Sequence, residues 1–185
     1  MNFIKVIEQV TSQLDVASIR YALIGGFAMA LRGVQRATID MDFILMLDDL
    51  DKADAIFQNA GYARVYKSEN VSHYIAKDLE LGRIDLLHAF RGPTLGMLER
   101  AEHISIDEGF SLPVVQVEDI IGLKIQASVN APNRSTADWA DIQMILETSA
   151  ERQQAIDWEL LDDYLGLFGL NNKLTTLQNW YGASK

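Results

Sequence analysis

The chain has 185 residues, no cysteine, 49% hydrophobic and 23% charged residues, and 16 Lys and Arg against 26 Asp and Glu, a formal net charge of −10. This composition supplies enough apolar material for a packed core and excludes disulfides, zinc-thiolate sites and a thiol nucleophile. The acidic balance argues against a broad nucleic-acid surface, which needs many cations on phosphates, while leaving room for a local basic cleft.

Apolar positions Phe3, Val6, Ile7, Val10, Leu14 and Ala17 predict a helix over 3–18. The amino terminus lacks the apolar run of a signal peptide. The longest nearly apolar run, Tyr21 to Leu31, is shorter than the ~20 residues a membrane span needs. A soluble, cytoplasmic protein with no membrane association is expected.

Tyr21–Ile24 reads as a buried strand closed by Gly25-Gly26, and Phe27–Leu31 as a short helix stopped at Gly33. Met41–Leu47 is a second strand. Asp48 or Asp49 is placed to cap a helix running to Ala60. Three more strands are expected at Tyr62–Tyr66, Ser72–Ala76 and Arg83–Leu87, then a helix at Thr94–Glu102 behind Pro93. His103–Ile106 and Phe110–Val115 read as a hairpin around Asp107-Glu108-Gly109. From Val117 the pattern is helical: Val117–Val129, with Glu118 and Asp119 loading the first turn, then Ser135–Thr148, Gln153–Leu167 and Asn171–Trp180. The expected architecture is α+β, a mixed sheet flanked by helices with a helical C-terminal extension. The expected domains are a core over 1–116 and a helical region over 117–185 packed on it.

The chemistry concentrates between Ile24 and Ile44. Asp40 and Asp42 are two apart on a strand, so both carboxylates share a face while Met41 points the other way. Carboxylates that close repel unless a cation neutralises them, and carboxylate oxygens suit Mg²⁺. Asp85, between Ile84 and Leu86, is a third acid. If its strand neighbours the first, the three can hold two metals and clamp the attacking and leaving oxygens of a phosphoryl transfer. Gly25-Gly26 lets a phosphate approach the backbone, with the N–H groups of the next helix behind it. Alone, the glycine pair is an ordinary tight turn, Asp-x-Asp an ordinary strand face, and Asp85 a surface partner of Arg83. Their order and spacing set the combination apart.

Gly25-Gly26, Asp40-Met41-Asp42 and Asp85 together resemble the signature of the DNA polymerase β-like nucleotidyltransferase superfamily. Arg36 and Thr38, with the later I-I-G-L-K-I-Q-A and N-R-S-T-A-D-W-A-D-I, are similar to its AbiEii-type branch, which includes toxins of toxin–antitoxin and phage-defence systems. The resemblance implies a Mg²⁺-dependent transfer of a nucleoside monophosphate from an NTP to an acceptor hydroxyl, two ions being expected and Mn²⁺ serving as a substitute. It implies metal binding by Asp40, Asp42 and Asp85, with Asp85 also helping to deprotonate the acceptor. Gly25 and Gly26 would hold the β,γ-phosphates, with Arg36, Lys124 and Arg134 as further nucleotide contacts. Many members carry Ser after the first glycine; here Gly26 stands there, so backbone N–H groups alone would serve. Many relatives carry Lys before the acid at Asp138; here it is Ala137.

Bland readings compete at several positions. Lys124 would be a snorkelling surface residue, Arg134 with Asp138 and Asp141 a capping and ion-pair cluster, and Arg36 a partner of Asp40. His88, three residues after Asp85, should face away and be structural. His73 and His103 have no spaced partner and are expected on the surface. Tyr62, Tyr66, Tyr74, Trp139, Trp158 and Trp180 should fill cores or interfaces, Tyr74 lying nearest the site strands. The acceptor stays open among tRNA or other RNA, protein and small molecules, and an antitoxin is an expected partner of the toxin reading. The alternatives are a non-catalytic nucleotide- or partner-binding protein on the same fold and a small-molecule (antibiotic) nucleotidyltransferase.

Overall fold

A computed structural model describes residues 3–107 and 110–183. Two compact units emerge. The first comprises 1–31 and 36–116, and the second comprises 32–35 and 117–185.

The first unit is built on a seven-stranded sheet. Its strands are β1 (Tyr21–Ile24), β2 (Asp40–Met46), β3 (Tyr62–Lys67), β4 (Val71–Ala76), β5 (Arg83–Ala89), β6 (Glu102–Asp107) and β7 (Phe110–Val114). Their order across the sheet is β3-β4-β5-β2-β1-β7-β6. The β2–β5 and β1–β7 pairs are parallel and the others antiparallel. All seven expected strands form within a residue or two of their predicted limits. The expected β6–β7 hairpin forms, though its turn at Glu108-Gly109 lies outside the described residues.

Alternation explains the central strands. Met41, Phe43 and Ile84 are fully buried and Leu86 is 1% exposed, while Asp40, Asp42, Arg83 and Asp85 on the opposite face keep solvent contact. Helix α4 (Leu50–Asn59) covers the apolar face at the β3–β4 end. There Phe57 packs edge-on to Tyr62 and against Tyr74, whose hydroxyl donates to Asp54. Asp49 stands at the N-cap of α4 after a short 3₁₀ turn, but its carboxylate pairs with Lys52 and caps no backbone N–H.

The predicted first helix is interrupted. Phe3–Val6 (α1) and Ser12–Val16 (α2) flank a π-helical turn at Ile7–Thr11, where the buried Thr11 hydroxyl donates back to the Ile7 carbonyl. Helix α3 (Gly25–Leu31) starts directly at the end of β1, and α5 (Gly92–Arg100) follows β5 with Pro93 in its first turn.

The second unit packs α6 (Val117–Asn130), α7 (Ser135–Glu151), α8 (Trp158–Gly166) and α9 (Leu174–Ala183). The acids opening α6 are buried and serve tertiary contacts beyond any dipole effect. Glu118 Oε1 accepts the Asp157 N–H at 2.8 Å, and Asp119 accepts the Tyr164 hydroxyl at 2.7 Å. Trp139 and Trp180 meet edge to face, as do Trp158 and Tyr181. Helix α8 begins five residues later than the predicted onset at Gln153. Gln153 takes a left-handed φ of 54°, and Asp157 caps the helix by accepting from the Glu159 and Leu160 N–H groups. Arg32–Gln35 groups with this unit, and Arg152 donates to the Arg32 carbonyl at 3.2 Å.

Candidate functional site

The β2–β5 ladder places Asp42 directly opposite Asp85, and Asp40 opposite Arg83. Paired residues of neighbouring strands share a face, as do residues two apart on one strand. The three predicted acids therefore lie on one face of the sheet. Parallel pairing sets this up, because the register matches one strand to the other along their whole length, Asp40 through Met46 against Arg83 through Ala89.

The glycine turn closes against this face. Gly25 has φ +65°, and a Cβ there would stand 2.1 Å from Asp42 Oδ2. A side chain at 25 is excluded both by its backbone conformation and by the carboxylate. A Cβ on Gly26 would meet Thr38 Oγ1 at 2.9 Å and Arg36 Nη1 at 3.1 Å. Arg36 thus stands beside the glycine pair, and Thr38 donates to the Asp40 carbonyl at 3.1 Å. Helix α3 has seven residues, so its macrodipole adds little to the field at the glycine turn.

Asp85 Oδ1 accepts from Arg83 Nε and from His73 Nδ1, each at 2.7 Å. The Arg83 guanidinium is held above its ordinary range first by this hydrogen bond, then by the charges of Asp85, Asp40 and Asp42. One cation thus senses all three carboxylates, so the face favours positive charge. Three carboxylates on a common face are the donor type a hard divalent ion takes. Among the described residues, no three His, Asp or Glu side chains are drawn together closely enough to hold a metal, Asp85 being turned to Arg83 and His73. The site fits the ion in donor chemistry and shared face, with Arg83 standing as the internal cation.

His73 corrects the expectation of an unpartnered surface histidine. It is Asp85's register partner on β4, and its ring stacks on Tyr66 at 5.2 Å and 24°. Partner numbers across this antiparallel hairpin sum to 158, which pairs 73 with 85; the expected strand limits at Ala76 and Arg83 give 159, which pairs 74 with 85, so the partner of His73 was not readable from them. Tyr66, expected in a core or an interface, is 51% exposed, whereas Tyr74 is fully buried on the face opposite the acids. His88 does face away from the acids. Its Nδ1 donates to the Glu69 carbonyl at 2.8 Å, leaving Nε2 to accept from the buried Ser72 hydroxyl at 3.0 Å, and burial lowers its pKa. His103 lies at the surface beside Ser111.

The remaining predicted residues belong to the second unit. Lys124 Nζ sits 3.1 Å from Asp138 Oδ1 and 2.6 Å from Asp141 Oδ2, the three side chains 12%, 3% and 7% exposed. Asp138 and Asp141 therefore pair with Lys124 and not with Arg134 as the bland reading had it, and Lys124 is buried where a snorkelling surface residue was the bland expectation. Arg134 ends an exposed 3₁₀ turn before α7.

Solved structures share the fold. The antibiotic-resistance factor ANT(2'')-Ia in solution aligns over 99% of this chain and 100% of its own, with TM-score 0.67 and 13% identity. Its crystal structure with adenylyl-2''-tobramycin aligns over 98% and 99%, with TM-score 0.59 and 13% identity. The lincomycin-bound lincosamide antibiotic adenylyltransferase LnuA aligns over 63% and 82%, with TM-score 0.50 and 14% identity. No curated protein sequence matches the chain. A family profile described as "Nucleotidyl transferase AbiEii toxin, Type IV TA system" matches residues 14–179. The chain belongs to this AbiEii family and is a nucleotidyltransferase.

Proposed function

We propose that the chain transfers a nucleoside monophosphate from an NTP to an acceptor hydroxyl, dependent on Mg²⁺ or its substitute Mn²⁺, and that it acts as a cytoplasmic toxin held in check by an antitoxin. The observation that carries the chemistry is the register of Asp42 with Asp85 on parallel neighbours, with Asp40 on the same face and Gly25-Gly26 closed against it. The toxin role rests on the family.

Asp40 and Asp42 would hold the metal ions and Asp85 the ion nearer the acceptor. The bound ions would polarise the α-phosphate and neutralise the leaving oxygen. Gly25 and Gly26 give the β,γ-phosphates room against the backbone, and Arg36 offsets their charge. The acceptor oxygen attacks the α-phosphorus while its proton passes to the Asp85 carboxylate. The bond from that phosphorus to the bridging oxygen breaks, and pyrophosphate leaves. Nucleotide contacts by Lys124 and Arg134 rest on the family pattern alone; the buried pairs of Lys124 with Asp138 and Asp141 favour a packing role.

The test is incubation of the protein with NTPs labelled at the α-phosphate and with separated cell RNA, protein and metabolites. Metal-dependent label in one fraction supports the reading and names the acceptor class. No label in any fraction, with each NTP tried, would count against it.

A further inference from the structure

The register row that contains Asp42 and Asp85 does not stop at the acids. It runs Tyr66–His73–Asp85–Asp42–Ile24 across five strands, so all five side chains share one face. Tyr66 reaches this row through a β-bulge. Arg64 pairs with Tyr74 and Tyr66 with His73, so Val65 is the extra residue. Without it, Val65 would face His73 and Tyr66 would turn to the α4 side. A bulge that re-aims one side chain next to a reactive site is a built feature. It sets a tyrosine ring, 51% exposed, flat on the imidazole that is bonded to Asp85.

The direction of attack gives this shelf an occupant. Phosphoryl transfer runs in line, with nucleophile and leaving group on opposite sides of the phosphorus. The proposed leaving pyrophosphate lies at Gly25-Gly26, beside β1. The acceptor must then approach over β5 from the β4–β3 side, across His73 and Tyr66. Tyr66 stands two strands from Asp85, about 10 Å at the usual strand spacing, which matches a ring carried beside the attacking hydroxyl.

The shelf's chemistry narrows the acceptor. The twelve residues of β3 and β4, Y-A-R-V-Y-K and V-S-H-Y-I-A, include no Asp or Glu, in a chain with 26 of them. Ile75, 47% exposed, shares the row's face, and Asp85 is paired with Arg83 at 2.7 Å. A polycationic aminosugar would find no carboxylate on β3 or β4, and Asp85 at their edge is already paired with Arg83. A flat, uncharged ring would find an aromatic platform. Resting on the nucleotidyltransferase reading, we infer that Tyr66, stacked on His73, is an acceptor-positioning platform for a nucleobase, and that the hydroxyl receiving the nucleotide belongs to a nucleobase-bearing acceptor.

The test uses the full chain and two probes, a 5′-fluorescein-labelled single-stranded pentaadenylate with a free 3′ hydroxyl and unlabelled tobramycin. Anisotropy should show wild-type binding of the oligonucleotide, with Tyr66→Phe within about threefold and Tyr66→Ala roughly tenfold weaker, the loss of one base stack. Calorimetry should show Mg²⁺–NTP affinity of Tyr66→Ala within about twofold of wild type, which separates loss of the platform from loss of the fold. Equal oligonucleotide affinity in Tyr66→Ala and wild type, with NTP binding intact, would overturn the platform alone. Wild-type binding of tobramycin but not of the oligonucleotide would overturn the nucleobase assignment. Absence of Mg²⁺–NTP binding from the wild type would overturn the nucleotidyltransferase reading and the acceptor assignment with it.

Discussion

Asp42 and Asp85 are register partners across the parallel β2–β5 ladder, although the β3–β4 hairpin lies between them in sequence. The pairing makes Asp85 part of the same carboxylate row as the Asp-x-Asp strand. Replacing Asp85 with Asn keeps the side-chain shape and removes the charge that would take the acceptor proton. Label transfer is expected to fall by about 10²-fold or more, the range of a general base. The fold should hold, because the Arg83–Asp85 pair is 42% and 24% exposed and such pairs contribute little. Circular dichroism and transfer assays on the same preparation check both halves.

Gly25→Ala should separate folding from function. The substitution puts a methyl where Asp42 Oδ2 stands 2.1 Å away and asks a non-glycine residue to hold φ +65°. The backbone part costs roughly 1 kcal/mol, which a domain of this size survives. The steric part displaces Asp42. Mg²⁺–NTP affinity is expected to drop more than tenfold while the urea midpoint moves only modestly. Calorimetry beside urea denaturation tests this.

Lys124→Met should be a stability mutation. It leaves Asp138 and Asp141, 3% and 7% exposed, without the cation between them. Removing one partner of a buried charge cluster costs about 3–5 kcal/mol. The triple variant Lys124→Met/Asp138→Leu/Asp141→Leu should recover much of that loss, since apolar replacement of a whole buried cluster is close to neutral. Urea titrations of both variants measure it.

His88 gives the fold an acid-side sensitivity. Burial lowers its pKa below the ordinary 6.5, so the folded state keeps the ring neutral while the unfolded state takes up a proton below about pH 6.5. Stability from this group is full above 6.5 and is lost as pH falls below it, levelling off beneath the lowered folded-state value. The urea midpoint should fall more between pH 7.5 and 5.5 in wild type than in His88→Gln.

Much of this was legible in the chain itself. Period-two alternation around Met41, Phe43, Ile84 and Leu86 marked the central strands, and the spacing of Gly25, Asp42 and Asp85 pointed to residues that the fold brings together. Pairwise facts that need strand register were harder to see. His73 looked solitary because its partner is twelve residues away across a hairpin, and Tyr66 looked like core or interface because a one-residue bulge reverses its side. The π turn at Ile7–Thr11 leaves the apolar stripe almost unchanged, so periodicity passes over it. The late start of α8 hid behind an apolar pattern that continues through Ala155 and Ile156, although Asp157 before Trp158 was a readable cap. The grouping of Arg32–Gln35 with the helical unit had no local signal, since the Arg152 side chain that binds there lies far along the sequence.

The most direct measurement is isothermal titration of each NTP into the full chain with Mg²⁺, in wild type and in the Asp40→Ala/Asp42→Ala variant. Mg²⁺-dependent binding of at least one NTP is expected in wild type and is expected to disappear from the double variant, with both proteins folded. Unchanged binding in the double variant would contradict the site.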